Sequence, residues 1–277
     1  MSKKIEIILA QPRGFCAGVE RAINIVELAL NKYGAPVYVR HEIVHKKFVV
    51  SDLENKGAVF VSELDQVPRG AITVFSAHGV SDMVEQDANN RQLAVIDATC
   101  PLVTKVHLQA KKQEQLDRQI IMIGHRGHPE VEGTTGRVKQ DVHIVSSVED
   151  VQNLHFDNGA KLSYVTQTTL SVDDTANIIN ALRQKFPDIE GPELKNICYA
   201  TQNRQDAVRK LGKIVDLMLV VGSKNSSNSN RLRDLGEENG IRSYLVDGYK
   251  DIKDLSFEGV TSVGITAGAS APERLVQ

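Results

Sequence analysis

Short runs of aliphatic and β-branched residues alternate along the chain with stretches whose apolar residues recur every three or four positions. Residues 5–10 read as a strand. Ala17–Tyr33 reads as a helix, with apolar Ile23, Val26, Leu28 and Leu30 and a stop at Gly34. Val37–Arg40, Ala58–Val61, Ile72–Phe75 and residues 94–96 read as further strands, with helical segments between several of them. The pattern then restarts twice. A helix over about 101–118 is followed by a strand at 120–123, and a helix over about 202–216 by the strand Leu217–Val221. After a Ser/Asn-rich loop, a helix over 231–239 stops at Gly240. Alternation of this kind predicts an α/β protein with parallel sheets.

The restarts coincide with the cysteines. Cys16, Cys100 and Cys198 each stand just before a predicted helix and are 84 and 98 residues apart. We therefore expect three pseudo-equivalent small domains, 1–99, 100–197 and 198–277, with the strand in 1–13 able to pack with the third. The polar loops repeat in the same register. His45, His128 and Ser226 follow their cysteines by 29, 28 and 28 residues, in the loops 41–45, 125–130 and 223–228. A second set drifts in register, at offsets of 62, 68 and 72: Ser76-Ala77-His78-Gly79, Thr166-Gln167-Thr168-Thr169 and Thr266-Ala267-Gly268-Ala269-Ser270. Ligands of open parallel sheets bind beyond the carboxyl ends of the strands. Nine segments at such ends, facing a common centre, would make one site.

Composition removes several alternatives. Lys+Arg is 33 and Asp+Glu 35, a net charge of −2, with no basic excess for a nucleic-acid footprint. No apolar run approaches the roughly 20 residues of a membrane span. The apolar stretch behind the basic N-terminus ends at Ala10, too short for a secretory signal, so a cytoplasmic protein is expected. Three cysteines without sign of export argue against disulfides.

A single cysteine of this kind is most often a small buried hydrophobe. All three in equivalent places, each at a helix N-terminus that favours thiolate, point instead to one shared soft-metal or iron–sulfur site. Zinc competes, with His45, His78 or His128 as a fourth ligand, although the close C-x-x-C pairs usual for zinc are missing. The loops at 223–230 and 268–273 have the hydroxyls, amides and backbone N–H groups of anion sites, with Pro272 suited to a first helical turn. Neither is a P-loop, and no G-x-G-x-x-G fingerprint occurs. His45, His78 and His128 suit phosphate oxygens. His41, His107, His125, His143 and His155 are read as structural or exposed. Glu130, behind Pro129, is equally a first-turn carboxylate complementing a helix dipole and a proton donor. An enzyme, a cluster-based electron carrier and a zinc-dependent phosphoesterase all remain open on these grounds.

The motifs Pro12-Arg13-Gly14-Phe15-Cys16-Ala17-Gly18-Val19, His41-Glu42-Ile43-Val44-His45, Ser76-Ala77-His78-Gly79-Val80, Asp97-Ala98-Thr99-Cys100-Pro101 and residues 124–130 resemble the 4-hydroxy-3-methylbut-2-enyl diphosphate reductase family. So do Thr166-Gln167-Thr168-Thr169, Cys198-Tyr199-Ala200-Thr201 and residues 222–230 and 266–272. The resemblance implies the last step of the non-mevalonate isoprenoid pathway: loss of an allylic hydroxyl in a two-electron reduction, giving isopentenyl and dimethylallyl diphosphate. It implies a trefoil-like α/β fold around a central 4Fe-4S cluster held by Cys16, Cys100 and Cys198, with one iron open. It places diphosphate binding on His45, His78, His128, Ser226, Ser227, Asn228 and Ser270. The substrate hydroxyl and its proton relay fall on Thr168 and Glu130, with His128 beside them. A one-electron donor such as ferredoxin or flavodoxin and a monomeric state are expected. The chain stops at Gln277, where many relatives continue; a tail that helped close the site would leave this chain looser.

Overall fold

The structure is a computed structural model describing residues 4–192 and 196–277. In chain order its elements are β1 (Glu6–Leu9), α1 (Ala17–Tyr33), β2 (Val37–Arg40), α2 (Lys47–Asn55), β3 (Ala58–Val61), β4 (Ile72–Phe75), α3 (Asp82–Asn90) and β5 (Ala94–Asp97). Then follow α4 (Pro101–Gln115), β6 (Gln119–Ile123), α5 (Pro129–Thr135), β7 (Val142–Val145), α6 (Val148–Gln152), β8 (Leu162–Thr166) and α7 (Val172–Lys185). The last are α8 (Tyr199–Leu211), β9 (Leu217–Val221), α9 (Ser227–Glu238), β10 (Arg242–Val246) and β11 (Ser262–Ala267). The described strands form three sheets, ordered β3-β2-β4-β5, β7-β6-β8 and β1-β11-β9-β10, and every pairing among them is parallel.

The chain divides into two compact units. A terminal unit holds the described parts of Met1–Glu20, Val44–Ser51 and Tyr199–Gln277. A middle unit holds those of Arg21–Ile43 and Asp52–Cys198. In the middle unit β6 shows why these strands are apolar throughout. Ile120 and Met122 pack with Val106, Ala110 and Val131 from α4 and α5, while Ile121 and Ile123 pack with Val151, Ile178 and Leu182 from α6 and α7. Each such fully buried side chain contributes about 1.5–3 kcal/mol, and helices on both faces leave neither side for polar residues. In the terminal unit β9 does the same. Met218 and Val220 meet Val208, Leu211 and Leu232, and Leu217, Leu219 and Val221 meet Val246, Val260 and Val263.

Several boundaries depart from the expected ones. In α1 the buried positions are Ala22, Val26 and Ala29, and Leu28 is 65% exposed, so the stripe facing the core is smaller-sided than the sequence suggests. α4 ends at Gln115 rather than 118 because Leu116 leaves the helical region and Asp117 turns left-handed at φ 54°. α8 starts at Tyr199 rather than 202 and stops at Leu211, before Gly212. α9 starts at Ser227 rather than 231, with Ser226 as its N-cap. The segment after Ser270 is a 3₁₀ turn at Glu273–Leu275 behind Pro272, not the start of an α-helix. The strand end expected before Cys198 falls partly on residues 193–195, outside the described ones; the nearest strand pairing is the parallel bridge of Ser163 with Glu190.

Candidate functional site

In the middle unit a single chain of contacts joins two cysteines to two histidines and a carboxylate. Thr168 lies in the loop beyond β8. Its N–H donates to Glu130 Oε1 at 2.6 Å, and its hydroxyl donates to Glu130 Oε2 at 2.9 Å. The Thr168 carbonyl accepts the N–H of Cys198 at 3.0 Å. Glu130 is in the first turn of α5 and 2% exposed, so the dipole reading and burial coexist. Burial pushes its carboxyl up to about 7, against the two Thr168 hydrogen bonds, which favour the ionised form. A carboxyl poised there exchanges protons near neutral pH.

His128 caps α5: its Nδ1 accepts the Glu130 N–H at 3.2 Å. That bond sets the tautomer, leaving Nε2 as the protonated nitrogen and a donor to anions. The His78 ring stands edge-on to His128, with centroids 5.8 Å apart, and Ser76 Oγ lies 3.3 Å from His78 Nδ1. Cys100, the N-cap of α4, donates its N–H to the Ala77 carbonyl at 3.0 Å, between Ser76 and His78. Two buried residues, Gln167 and His107, hold these loops. Gln167 accepts the His125 N–H at 3.1 Å and donates to Thr169 Oγ1 at 2.8 Å, clamping the loop after β6 to that after β8. Its amide sits inside the Thr-Gln-Thr-Thr motif, the signal that could have found it.

His107 is the other. Burial, then the charge of Arg137, holds its imidazole down to about 4, so it is neutral at ordinary pH. It packs under Gly79, whose φ is 79°; a side-chain carbon there would fall 2.5 Å from His107 Cε1. Gly79→Ala therefore meets both a strained backbone and a clash. We expect it to lower stability by about 2–4 kcal/mol in chemical denaturation. A loss below about 1 kcal/mol would show the loop free to move.

The terminal unit brings together a second set. Cys16 donates its N–H to the Ala269 carbonyl at 3.2 Å, and its Sγ accepts the Val19 N–H at 3.5 Å in the first turn of α1. The buried Arg204 guanidinium fixes this loop, reaching the Gly14 carbonyl at 2.5 Å and that of Phe15 at 3.0 Å. Asn228 Oδ1 accepts the Ala269 N–H at 2.8 Å. Its Nδ2 is buried with no hydrogen-bond partner among the described residues, so this amide can still donate. The Ser270 hydroxyl donates to the His45 carbonyl at 3.2 Å, and Ser226 Oγ accepts the Ser229 N–H at 3.3 Å. Ser227 is half-buried in the first turn of α9. This helix approaches closely because Gly222 and Gly268 end β9 and β11; a side-chain carbon at either would lie 2.3 or 2.1 Å from Ser229 Oγ.

His45, Ser226, Ser227, Asn228, Ser270 and Cys16 thus belong to the terminal unit. His78, His128, Glu130, Thr168, Cys100 and Cys198 belong to the middle one. All three cysteines are partly exposed and unlinked by disulfides. Among the described residues no group of three or more His, Cys, Asp or Glu side chains is gathered as the donors of one metal ion. Each thiol stands at the start of a helix, and one already receives an N–H at sulfur, which is donor chemistry suited to iron–sulfur ligation. No helix of the described residues is long and apolar enough to cross a membrane.

A family model described as LytB protein matches residues 7–277. The 4-hydroxy-3-methylbut-2-enyl diphosphate reductase of Azoarcus sp. (strain BH72) is 60% identical over 271 residues, 98% of this chain and 87% of that protein. The E-1-hydroxy-2-methyl-but-2-enyl-4-diphosphate reductase structure from Plasmodium falciparum superposes with a TM-score of 0.94 at 42% identity, covering 99% of this chain and 86% of that one. A solved (E)-4-hydroxy-3-methyl-but-2-enyl diphosphate reductase, described as the terminal enzyme of the non-mevalonate pathway, gives a TM-score of 0.69 at 30% identity over 98% of this chain and 96% of that one.

Proposed function

Because the chain belongs to the LytB family, we propose that it reduces (E)-4-hydroxy-3-methylbut-2-enyl diphosphate to isopentenyl and dimethylallyl diphosphate, as the last step of non-mevalonate isoprenoid synthesis. The observation that carries the reading is the buried Glu130 carboxyl, poised near 7 and held by Thr168. Overall the allylic C–O bond breaks, two electrons and two protons enter, and the oxygen leaves as water.

Cys16, Cys100 and Cys198 would hold a 4Fe-4S cluster that, when bound, supplies the electrons singly and offers a Lewis-acid position at the iron without a protein ligand. The diphosphate is taken by His45, His78 and His128, by Ser226, Ser227, Asn228 and Ser270, and by the N-terminus of α9. The unpartnered Asn228 amide and the His128 tautomer support this assignment. Thr168 receives the substrate hydroxyl and Glu130, through it, delivers the proton that turns the leaving oxygen into water. His128, bonded to the Glu130 N–H, keeps that carboxyl and the diphosphate in one register. The three α/β domains, 1–99 with its first strand joining the last domain, 100–197 and 198–277, belong to the same proposal; each contributes one parallel sheet. We place the protein in the cytoplasm as a monomer served by an external one-electron donor such as ferredoxin or flavodoxin.

Anaerobically purified protein, given the substrate and a strong one-electron reductant, should release both isoprenyl diphosphates and contain iron and sulfide near four each. Colourless, zinc-loaded protein that hydrolyses phosphate esters would overturn the reading.

A further inference from the structure

The terminal unit contains a cation that the chemistry above does not use. Lys46 directly follows His45, yet its side chain has no solvent exposure. An ammonium is seldom buried, because leaving water is costly unless its charge and hydrogens are matched. Here Nζ bonds the Asp247 carboxylate and, at 2.9 Å, the carbonyl of the same residue. Asp247 lies just past β10 and is half-exposed, at 54%. Its Oδ1 also accepts the hydroxyl of Ser223 at 3.0 Å, and its N–H is held by Asp251 Oδ2 at 2.7 Å. Burial works to raise the Asp247 carboxyl, but the Lys46 ammonium and the Ser223 hydroxyl outweigh it and hold it below the usual carboxylate range.

The two arms of this knot lead to the two sides of the anion cradle. One runs through Lys46 to His45, whose carbonyl also receives the Ser270 hydroxyl. The other runs through Ser223, whose carbonyl accepts the N–H of Ser226, the N-cap of α9. We propose that Lys46 and Asp247 are positioning residues, a strut that sets the spacing between His45 and the Ser226–Asn228 turn and so tunes diphosphate affinity. The inference rests on the cradle assigned above. In this assignment Lys46 does not donate to the diphosphate itself: its side chain has no solvent exposure and Nζ is turned to Asp247, which accepts two of its three hydrogens. Its charge is neutralised inside the strut, which leaves the cradle's positive potential to the histidines and the helix terminus.

The test measures pyrophosphate affinity and steady-state kinetics on the anaerobically purified holoenzyme. Lys46→Met and Asp247→Asn should each weaken pyrophosphate binding and raise KM by about 10-fold, with kcat within about threefold. The double variant should be no worse than either single one, since both remove the same strut. Ser223→Ala, which deletes one hydroxyl at the rim of the knot, should shift affinity the same way by a smaller factor and serves if Lys46→Met fails to fold. Tighter binding in Asp247→Asn would overturn the proposal, because a freed ammonium would then be contacting phosphate directly. Unchanged affinity in both single variants would overturn it too. A Ser226→Ala/Asn228→Ala variant separates the two readings. If it loses affinity while the Lys46 and Asp247 variants do not, the strut alone fails; if it binds pyrophosphate normally, the cradle itself is wrong.

Discussion

Glu130→Gln lowers turnover by about 10²-fold or more, with the substrate KM little changed. The amide keeps the size of the carboxyl and can still accept the Thr168 N–H, so the loop beyond β8 keeps its place. What disappears is the transferable proton. The native carboxyl is held near 7 because burial outweighs two hydrogen bonds that favour ionisation. It is protonated in a large share of molecules at neutral pH and in few above pH 8. If proton delivery limits the rate, wild-type turnover falls as pH rises through about 7, and the variant loses that limb.

Stability carries the same signature with a definite sign. The unfolded carboxyl titrates near 4.5 and the folded one near 7. The folded state therefore binds more protons between those values, and it loses stability as pH rises through that window, by up to about 3 kcal/mol. Glu130→Gln has no such loss, so its stability relative to the wild type should improve from pH 5 to pH 8. Denaturation curves at the two pH values measure this directly. Near-normal turnover together with a flat stability difference would remove Glu130 from the chemistry.

The second large effect concerns the cysteines. Cys16→Ser, Cys100→Ser and Cys198→Ser should each strip most of the bound iron and reduce turnover by more than about 10²-fold. Serine is nearly the same size but presents a hard, protonated oxygen where a soft thiolate is needed. The main-chain N–H bonds at these positions, Cys16 to Ala269, Cys100 to Ala77 and Cys198 to the Thr168 carbonyl, do not involve sulfur; the one bond that does, from the Val19 N–H to Cys16 Sγ, can pass to a serine oxygen. The fold should accordingly persist, with unchanged far-ultraviolet circular dichroism. Three merely buried thiols would behave in the opposite way, costing a little stability and no iron. Any one serine variant with full iron and full turnover would sink the three-ligand assignment.

Why some of this could be read from the chain alone is physical. Val37–Arg40, Ala58–Val61, Ile72–Phe75 and Leu217–Val221 have the limits expected of them, because each short β-rich run stands out against the glycine, proline or polar residues close to its ends. The start of α9 was hidden. Its first turn, Ser227 to Asn230, contains no apolar residue, and the helical period appears only at Leu232 and Leu235. Glu130 was ambiguous because its neighbours in sequence describe a helix start. Its other partner, Thr168, is 38 positions away, and only folding makes the pair. Lys46 and Asp247 gave no signal at all. A lysine after a histidine reads as a solvated charge, and its burial depends on a strand end far along the chain. The histidine and serine assignments rest on family likeness; the structure adds the His128 tautomer, the Ser226 cap and the Ser270 bond to His45.

One feature of the terminal sheet bears on how the protein is made. Among the described strands β1 pairs only with β11, some 256 positions further along the chain, in the register Glu6 to Ser262. A ribosome presents β1 before every other described strand and its partner β11 after all of them. Throughout synthesis the emerging N-terminal strand, with Ile7 and Leu9 on it, must wait unpaired while the middle unit's sheets already have their strands. The terminal sheet is therefore completed after the other two, and its completion carries Cys16 and the loop of Gly14 and Phe15 into place. Nascent chains arrested before Ser262 should expose this strand to chaperones and proteases, and chains released beyond Ala267 should not.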